Sequence, residues 1–244
     1  MIRFFKRLWR RLPSNLSSAS DFTNYSANFG QAIAFTRECG FATCAGASAL
    51  SAPHEIHADN IRNALRAAGI KGLSRSAFQC LKWSYYLAPY LESELQRPVH
   101  VTIGQLWSDS QPLFNPTWKN LKDWSASGLT FRHIRDEGRR GVNLHAWLTV
   151  DSSEIIDISL FSSLASILPS IFSECNGRVI WGPAADILSS YQYLPMAVGR
   201  PFAEALDSGR ELALLARSPS ELYTYPLALP ENQIWAWGTS FPRT

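Results

Sequence analysis

Between Val142 and Leu160 the sequence reads VNLHAWLTVDSSEIIDISL, two runs rich in β-branched and aromatic residues on either side of a polar triplet. Runs of this kind joined by a short polar turn read as a β-hairpin. In an extended HAWLTV, Ala146, Leu148 and Val150 point to one face, and His145, Trp147 and Thr149 to the other. The first set is a core face. If Asp151, Ser152 and Ser153 form a three-residue loop, Val150 faces Glu154, Trp147 faces Asp157, and Asp157 becomes the diagonal neighbour of His145. A slip of one residue sends the two to opposite faces. The hairpin therefore permits an imidazole–carboxylate pair, and it is equally compatible with a histidine hydrogen-bonded for structural reasons alone.

Upstream of the hairpin the patterning is helical. Residues 21–53 are rich in Ala, Ser, Gly and Thr and read as small-residue helical packing broken by Gly40 and Gly46. HADNIRNALRAAGI places Ile61, Leu65 and Ala68 on one face, with Gly69 as its stop. KGLSRSAFQCLKWSYYLAPYLESELQ is a second helical region, which Pro89 is expected to kink or restart. PVHVTIGQLW alternates as a strand. Residues 108–143 lack strict periodicity apart from a short helix begun by NPTWKNLKDW. After the hairpin, SSLASILPSIFSE and PFAEALDSGRELALLAR read as helices and YQYLPMAV as a strand. Helices first and strands later give an α+β class, a helical N-terminal half packed on an antiparallel sheet. With 46% hydrophobic residues, residues 21–244 suffice for one domain with a substantial core.

The formal net charge of +3 is concentrated at the start of the chain. Arg3, Lys6, Arg7, Arg10 and Arg11 supply five of the 23 basic residues, which leaves 18 against 20 acidic ones. A near-neutral body has no footprint for nucleic acid, whose binding requires many phosphates to be neutralised. Residues 1–20 form a basic, amphipathic segment in which Ile2, Phe5, Leu8, Trp9 and Leu12 recur at helical spacing. Residues 1–12 are thus a candidate for peripheral contact with an anionic membrane surface, and a partner-binding segment, an import presequence or a plain basic tail fit equally. An uninterrupted apolar run of about 18 residues is missing, so the expectation is a cytoplasmic, peripheral or soluble protein. Cys39, Cys44, Cys80 and Cys175 make neither a metal pattern nor a disulfide framework, and HEIH at His54–His57 has no further ligand cluster. Neither a metal nor another cofactor is expected.

Among the cysteines, Cys80 stands apart. SAFQ at Ser76–Gln79 fits a capping box, with Ser at the N-cap and Gln three positions on. A helix starting there places Cys80 in the first turn, where the macrodipole favours an anion and thiol pKa values fall. A cysteine approached by a histidine that a carboxylate orients is the arrangement that makes a thiol nucleophilic at neutral pH. The other three cysteines read as small core residues.

Together, QCLKWSYYLAPYL and HAWLTVDSSEIIDIS resemble the transglutaminase-like branch of the papain-type cysteine enzymes, in the residues from Ser76 to Leu160. The resemblance implies a helix with the cysteine at its N-terminal end packed on an antiparallel sheet that supplies the histidine and then the aspartate. It assigns Cys80 as nucleophile, His145 as general base and acid, and Asp157 as orienting carboxylate. The glycine and tryptophan that often surround the family's cysteine are replaced by Gln79 and Leu81. The oxyanion donor is then the Gln79 side-chain amide or the Cys80 backbone N–H. The function this implies is a thiol-dependent protease, amidase or deamidase/transglutaminase acting on a peptide or protein amide. The alternative is a catalytically silent binding module, recruited to a membrane by the basic N-terminus. Trp107, Trp118, Trp124 and Trp147 are candidates to line the substrate cleft, and Arg132, Arg135, Arg139 and Arg140 to hold an acidic substrate group or simply to lie in solvent beside Asp136 and Glu137.

Overall fold

The computed structural model describes residues 24–43, 55–108, 111–136, 141–151, 153–187 and 191–224. The amphipathic segment 1–20, His54, Cys44, Arg139, Arg140 and the closing QIWAWG lie outside the described residues. In chain order the helices are α1 (Tyr25–Glu38), α2 (Ala58–Ala67), α3 (Cys80–Leu95), α4 (Trp118–Ser127), α5 (Phe131–Asp136), α6 (Leu160–Ile167), α7 (Pro169–Phe172), α8 (Ala184–Ile187), α9 (Arg200–Leu206) and α10 (Pro219–Leu222). The strands are β1 (Val99–Ser108), β2 (Gln111–Phe114), β3 (His145–Val150), β4 (Glu154–Asp157), β5 (Ile180–Pro183) and β6 (Gln192–Val198). They form one open antiparallel sheet in the order β2-β1-β3-β4-β5, with β6 paired to β1. The fold is α+β, as the element pattern predicts.

The hairpin has the register expected of a three-residue turn, with Val150 opposite Glu154 and Leu148 opposite Ile156. Asp151 takes the left-handed conformation at φ 52° and lets the turn close in three residues. The expectation of one core face is corrected, because β3 is buried along its whole length. Val101, Ile103, Ala146, Leu148 and Val150 pack with α3 in one core, while Leu106, Trp147, Tyr193 and Val198 pack with Tyr25, Phe29 and Ala32 of α1 in a second. The sheet is thus covered on both sides, and the polar side chains of β3, His145 and Thr149, are hydrogen-bonded inside it.

Two helical expectations also change. Pro89 neither kinks nor restarts its helix; α3 runs through it from Cys80 to Leu95. A proline cannot donate to the carbonyl four residues back, here Tyr85. Arg200 makes good the loss, donating from Nη1 to Tyr85 O at 2.8 Å with its guanidinium 3.8 Å from the Tyr85 ring centre. The helix expected across PFAEALDSGRELALLAR stops at Leu206. There the Asp207 carboxylate accepts the Leu214 N–H at 2.7 Å, which offers the chain a local alternative to the helix ladder. Gly209 then packs so close to Gly128 that a Cβ on the latter would lie 2.3 Å from Gly209 N.

Candidate active site

The first residue of β3 occupies a prepared place. His145 pairs across the ladder with Gly104 of β1, and a Cβ at Gly104 would meet Leu194 O of β6 at 2.0 Å, so only glycine permits the close approach of β6 at this level. Beyond Gly104, the edge of β1 that carries β3 is taken over by β2, with Leu106 opposite Phe114. Two residues along a strand is one side-chain period, and the Phe114 ring accordingly stacks on the imidazole at 5.3 Å and 18°. Trp147 also stacks on it, at 5.9 Å and 23°. Trp147 is itself held, since its Nε1 donates to Tyr25 Oη at 2.6 Å and that oxygen shares a 2.6 Å hydrogen bond with Thr149 Oγ1. Packing thus fixes the plane of the imidazole before any polar contact is counted.

The polar contacts fix its rotation. Asp157 closes β4 on the same face, and its Oδ2 lies 2.6 Å from His145 Nε2. The Tyr193 hydroxyl donates to that same oxygen at 2.8 Å, and Oδ1 accepts the N–H groups of Ser159 and Leu160 at 3.0 and 3.1 Å. The last two open α6, whose free N-terminal amides favour an anion. Burial alone pushes the Asp157 carboxyl up, but the imidazolium, its hydrogen bond, the Ser159 N–H and Tyr193 outweigh it and hold the carboxyl below its usual range. For His145 burial likewise opposes the charged form. The Asp157 charge and hydrogen bond, with a further contribution from Cys80, reverse this and raise the imidazole above its ordinary value.

Cys80 is the first residue of α3 and Gln79 is its N-cap, so the first-turn position read from the sequence is observed. The thiol lies 3.9 Å from Leu144 O, immediately before β3, and it interacts with the imidazole of His145. His145 Nδ1 is buried and has no conventional hydrogen-bond partner among the described residues. With Nε2 bound to Asp157, Nδ1 is the nitrogen left for a proton from sulfur. The capping box is corrected. Ser76 ends a 3-10 turn instead of capping α3, and its Oγ donates to Ile158 O at 3.1 Å. Gln79 Nε2 donates to Arg75 O at 3.0 Å and the side chain is buried. The two polar side chains of SAFQ are used to brace the loop, and Phe78 between them is forced to φ 59° with its N–H on Ser163 Oγ at 2.9 Å. That left-handed conformation costs a bulky L-residue on the order of 1–3 kcal/mol.

The tryptophans are placed differently from the expectation. Trp124 is 2% exposed and Trp147 is fully buried, so both are core side chains with no surface to offer a substrate; Trp107 is buried against Leu194. Trp118 is 40% exposed, but its ring meets Phe35 of α1 at 4.8 Å. It lines a groove with Gln31, Phe35 and Lys122 whose walls include none of Cys80, His145 or Asp157. Arg132 and Arg135 are exposed and lie beside Asp136, at 3.4 and 3.7 Å, the solvated arrangement. The described part of the 108–143 stretch contributes Phe114 to the site. Neither Phe114 nor Tyr193 was singled out by sequence reasoning, and only the strand pairings bring them there. Among the described residues, Cys39 and Cys175 are free thiols like Cys80, and no helix is long and apolar enough to cross a membrane.

Comparison with family models, with curated proteins and with solved structures gives no match, and no family is identified by those routes.

Proposed function

We propose that this chain is a cysteine-dependent acyl-group enzyme of the transglutaminase-like, papain-type kind, acting on a peptide or protein amide. The observation that carries the reading is the His145–Asp157 pair. A buried imidazole is fixed at Nε2 by a carboxylate, while Nδ1 has no conventional partner and a helix-start cysteine adjoins the ring. A histidine kept for structure alone would be expected to have both nitrogens satisfied.

In this reading the proton given up by the Cys80 thiol resides on His145 Nδ1, in the imidazolium that Asp157 stabilises, and Sγ attacks the carbonyl carbon as the anion. The tetrahedral oxyanion is met by the Cys80 N–H, which as the first amide of α3 has no intrahelical partner. Gln79 Nε2 spends one N–H on Arg75 O and retains a second, so its side chain is the alternative donor. Collapse breaks the C–N bond, His145 returns the proton to the leaving amine, and the acyl group remains on sulfur. Water or an amine, deprotonated by His145, then releases it. Asp157 keeps the Nε2–H in place and stabilises the imidazolium that forms at each stage.

Trapping the acyl-enzyme tests the proposal. Incubation with an N-acyl amino acid thioester, followed by peptide mapping, is expected to find the acyl group on Cys80, labile to hydroxylamine, and to lose it in His145→Ala. Acylation spread evenly over Cys39, Cys80 and Cys175, and indifferent to His145, would rule the proposal out.

A further inference from the structure

We infer that Phe78 selects the substrate of this site and that the selected group is an aromatic or branched apolar side chain on the acyl part of the amide; the inference rests on the proposed role of Cys80. Phe78 is 58% exposed, the most exposed large apolar side chain among the described residues. An isolated exposed apolar residue is common and by itself means little. This one is held in a left-handed backbone conformation, at φ 59°, which is easy for glycine and rare for an aromatic residue. Strain of this sort persists only where the surroundings over-determine it, and here the surroundings do so through the neighbours. Ser76 is tied to Ile158 O, the Phe78 N–H to Ser163 Oγ and Gln79 to Arg75 O. The loop is therefore fastened to the segment that directly follows Asp157, without any help from the Phe78 ring. Burial of the ring does not offset the strain, since most of it faces solvent.

The position explains what the ring is for. One residue, Gln79, separates Phe78 from Cys80, so their Cα atoms are no more than about 7 Å apart. The acyl part of a substrate stays bonded to Sγ through both half-reactions, whereas the leaving amine departs after the first. A ring carried this close to Cys80 along the chain is within reach of the part that stays. Most other large apolar side chains near the site are committed to packing, Phe114 and Trp147 on the imidazole and Tyr193 on Asp157. Phe78 is left as an apolar surface open to a ligand, and an apolar contact of this kind discriminates by roughly 10-fold or more between a large side chain and none.

The test uses acetyl-Phe, acetyl-Leu and acetyl-Gly chloromethyl ketones on the full chain, in which Cys80 Sγ displaces chloride and keeps the acyl-side residue beside it. Each rate is divided by the rate of the same protein with iodoacetamide and corrected for the probe's reaction with a free thiol. In the wild-type chain the Phe and Leu probes are expected to exceed the Gly probe by roughly 10-fold. In Phe78→Ala and Phe78→Gly the ratio should fall to about 1, while Phe78→Tyr retains it. Phe78→Gly relieves the backbone and should melt no lower than the wild type, which separates selection from a structural role. Absence of the preference in the wild type, or its survival in both truncations, would overturn the inference while leaving the Cys80 reading standing. Iodoacetamide labelling of Cys80 no faster than that of Cys39 and Cys175 would instead break the underlying reading, and the inference with it.

Discussion

The two ends of the β3–β4 hairpin both bury charge, and they do so in opposite ways. At the turn, Arg97 donates to Asp151 from Nε and Nη2 at 2.9 and 2.7 Å and also binds Glu154. One cation answers two carboxylates, and the guanidinium stays charged throughout the accessible pH range. At the open end, Asp157 is satisfied by four donors, but its partner His145 keeps Nδ1 without a conventional hydrogen bond. The turn is a closed ion cluster that can only hold the strands together. The open end retains one ring nitrogen without a conventional hydrogen bond, on an imidazole that interacts with a thiol. The same hairpin thus separates a structural electrostatic site from a chemical one by a few residues.

The largest effect should come from breaking the structural end. Arg97→Met leaves Asp151 and Glu154 facing each other without their cation, and removal of one partner from a buried pair costs about 3–5 kcal/mol. Chemical denaturation should register that loss, while the folded fraction alkylates Cys80 at the wild-type rate. A loss below about 1 kcal/mol would mean the turn cluster is solvated and the contrast is false.

Exchanging the two aspartates sharpens the contrast. Asp157→Asn removes the charge behind His145 and disturbs a saturated carboxylate site, which should cost about 1–3 kcal/mol and slow Cys80 alkylation by roughly 10-fold or more. Asp151→Asn should lower stability by about 1 kcal/mol and leave the alkylation rate alone. Alkylation kinetics on the two variants decide the matter, and the reverse order would move the orienting role to the turn.

Tyr193→Phe is a milder cut at the chemical end. It deletes one of four donors to Asp157, with an expected cost of about 0.5–1.5 kcal/mol and a smaller loss of Cys80 reactivity than Asp157→Asn. If Tyr193→Phe were the more damaging of the two, the hydroxyl and not the carboxylate would be setting the imidazole.

The smallest effect is in the pH dependence. The folded His145 imidazole lies above its ordinary value, so its contribution to stability is complete below about pH 6.5 and fades as pH rises through the folded value. Asp157 is held below its usual range, and its contribution is present above about pH 4 and lost as pH falls further. The melting-temperature gap between the wild type and Asp157→Asn should therefore be wider at pH 6 than at pH 9. A gap that is flat, or that widens toward pH 9, would contradict the imidazolium–carboxylate assignment. Arg97→Met should show no such slope across this window.

Much of the chemical end was legible in the sequence because it is local. His145 and Asp157 are separated by a turn whose length sets their parity, and SAFQ placed Cys80 in the first turn of a helix, a position that holds although the capping box does not form. What the sequence concealed depends on pairings between distant segments. Tyr193 reaches Asp157 only because β6 joins β1, and Phe114 covers His145 only because β2 continues the edge that β3 leaves. The capping box failed for a related reason, since Ser76 ends a 3-10 turn that its Oγ fastens to Ile158 O, 82 residues away, and the N-cap falls on Gln79. Pro89 was misread because its orphaned carbonyl is answered from Arg200. Trp124 and Trp147 looked available as cleft walls only so long as the cores on the two sides of the sheet were unseen.

Site-resolved alkylation tests the central claim most directly. Cys39, Cys80 and Cys175 are all partly exposed free thiols, so access alone gives no reason for one to outpace the others, and burial pushes the Cys39 thiol up. With iodoacetamide at pH 6 to 7, peptide mapping should find Cys80 modified at least roughly 10-fold faster than Cys39 or Cys175, with the difference abolished in His145→Ala. Three similar rates in the wild type, or a Cys80 rate unchanged by His145→Ala, would return the cysteine to the core and leave both ends of the hairpin structural.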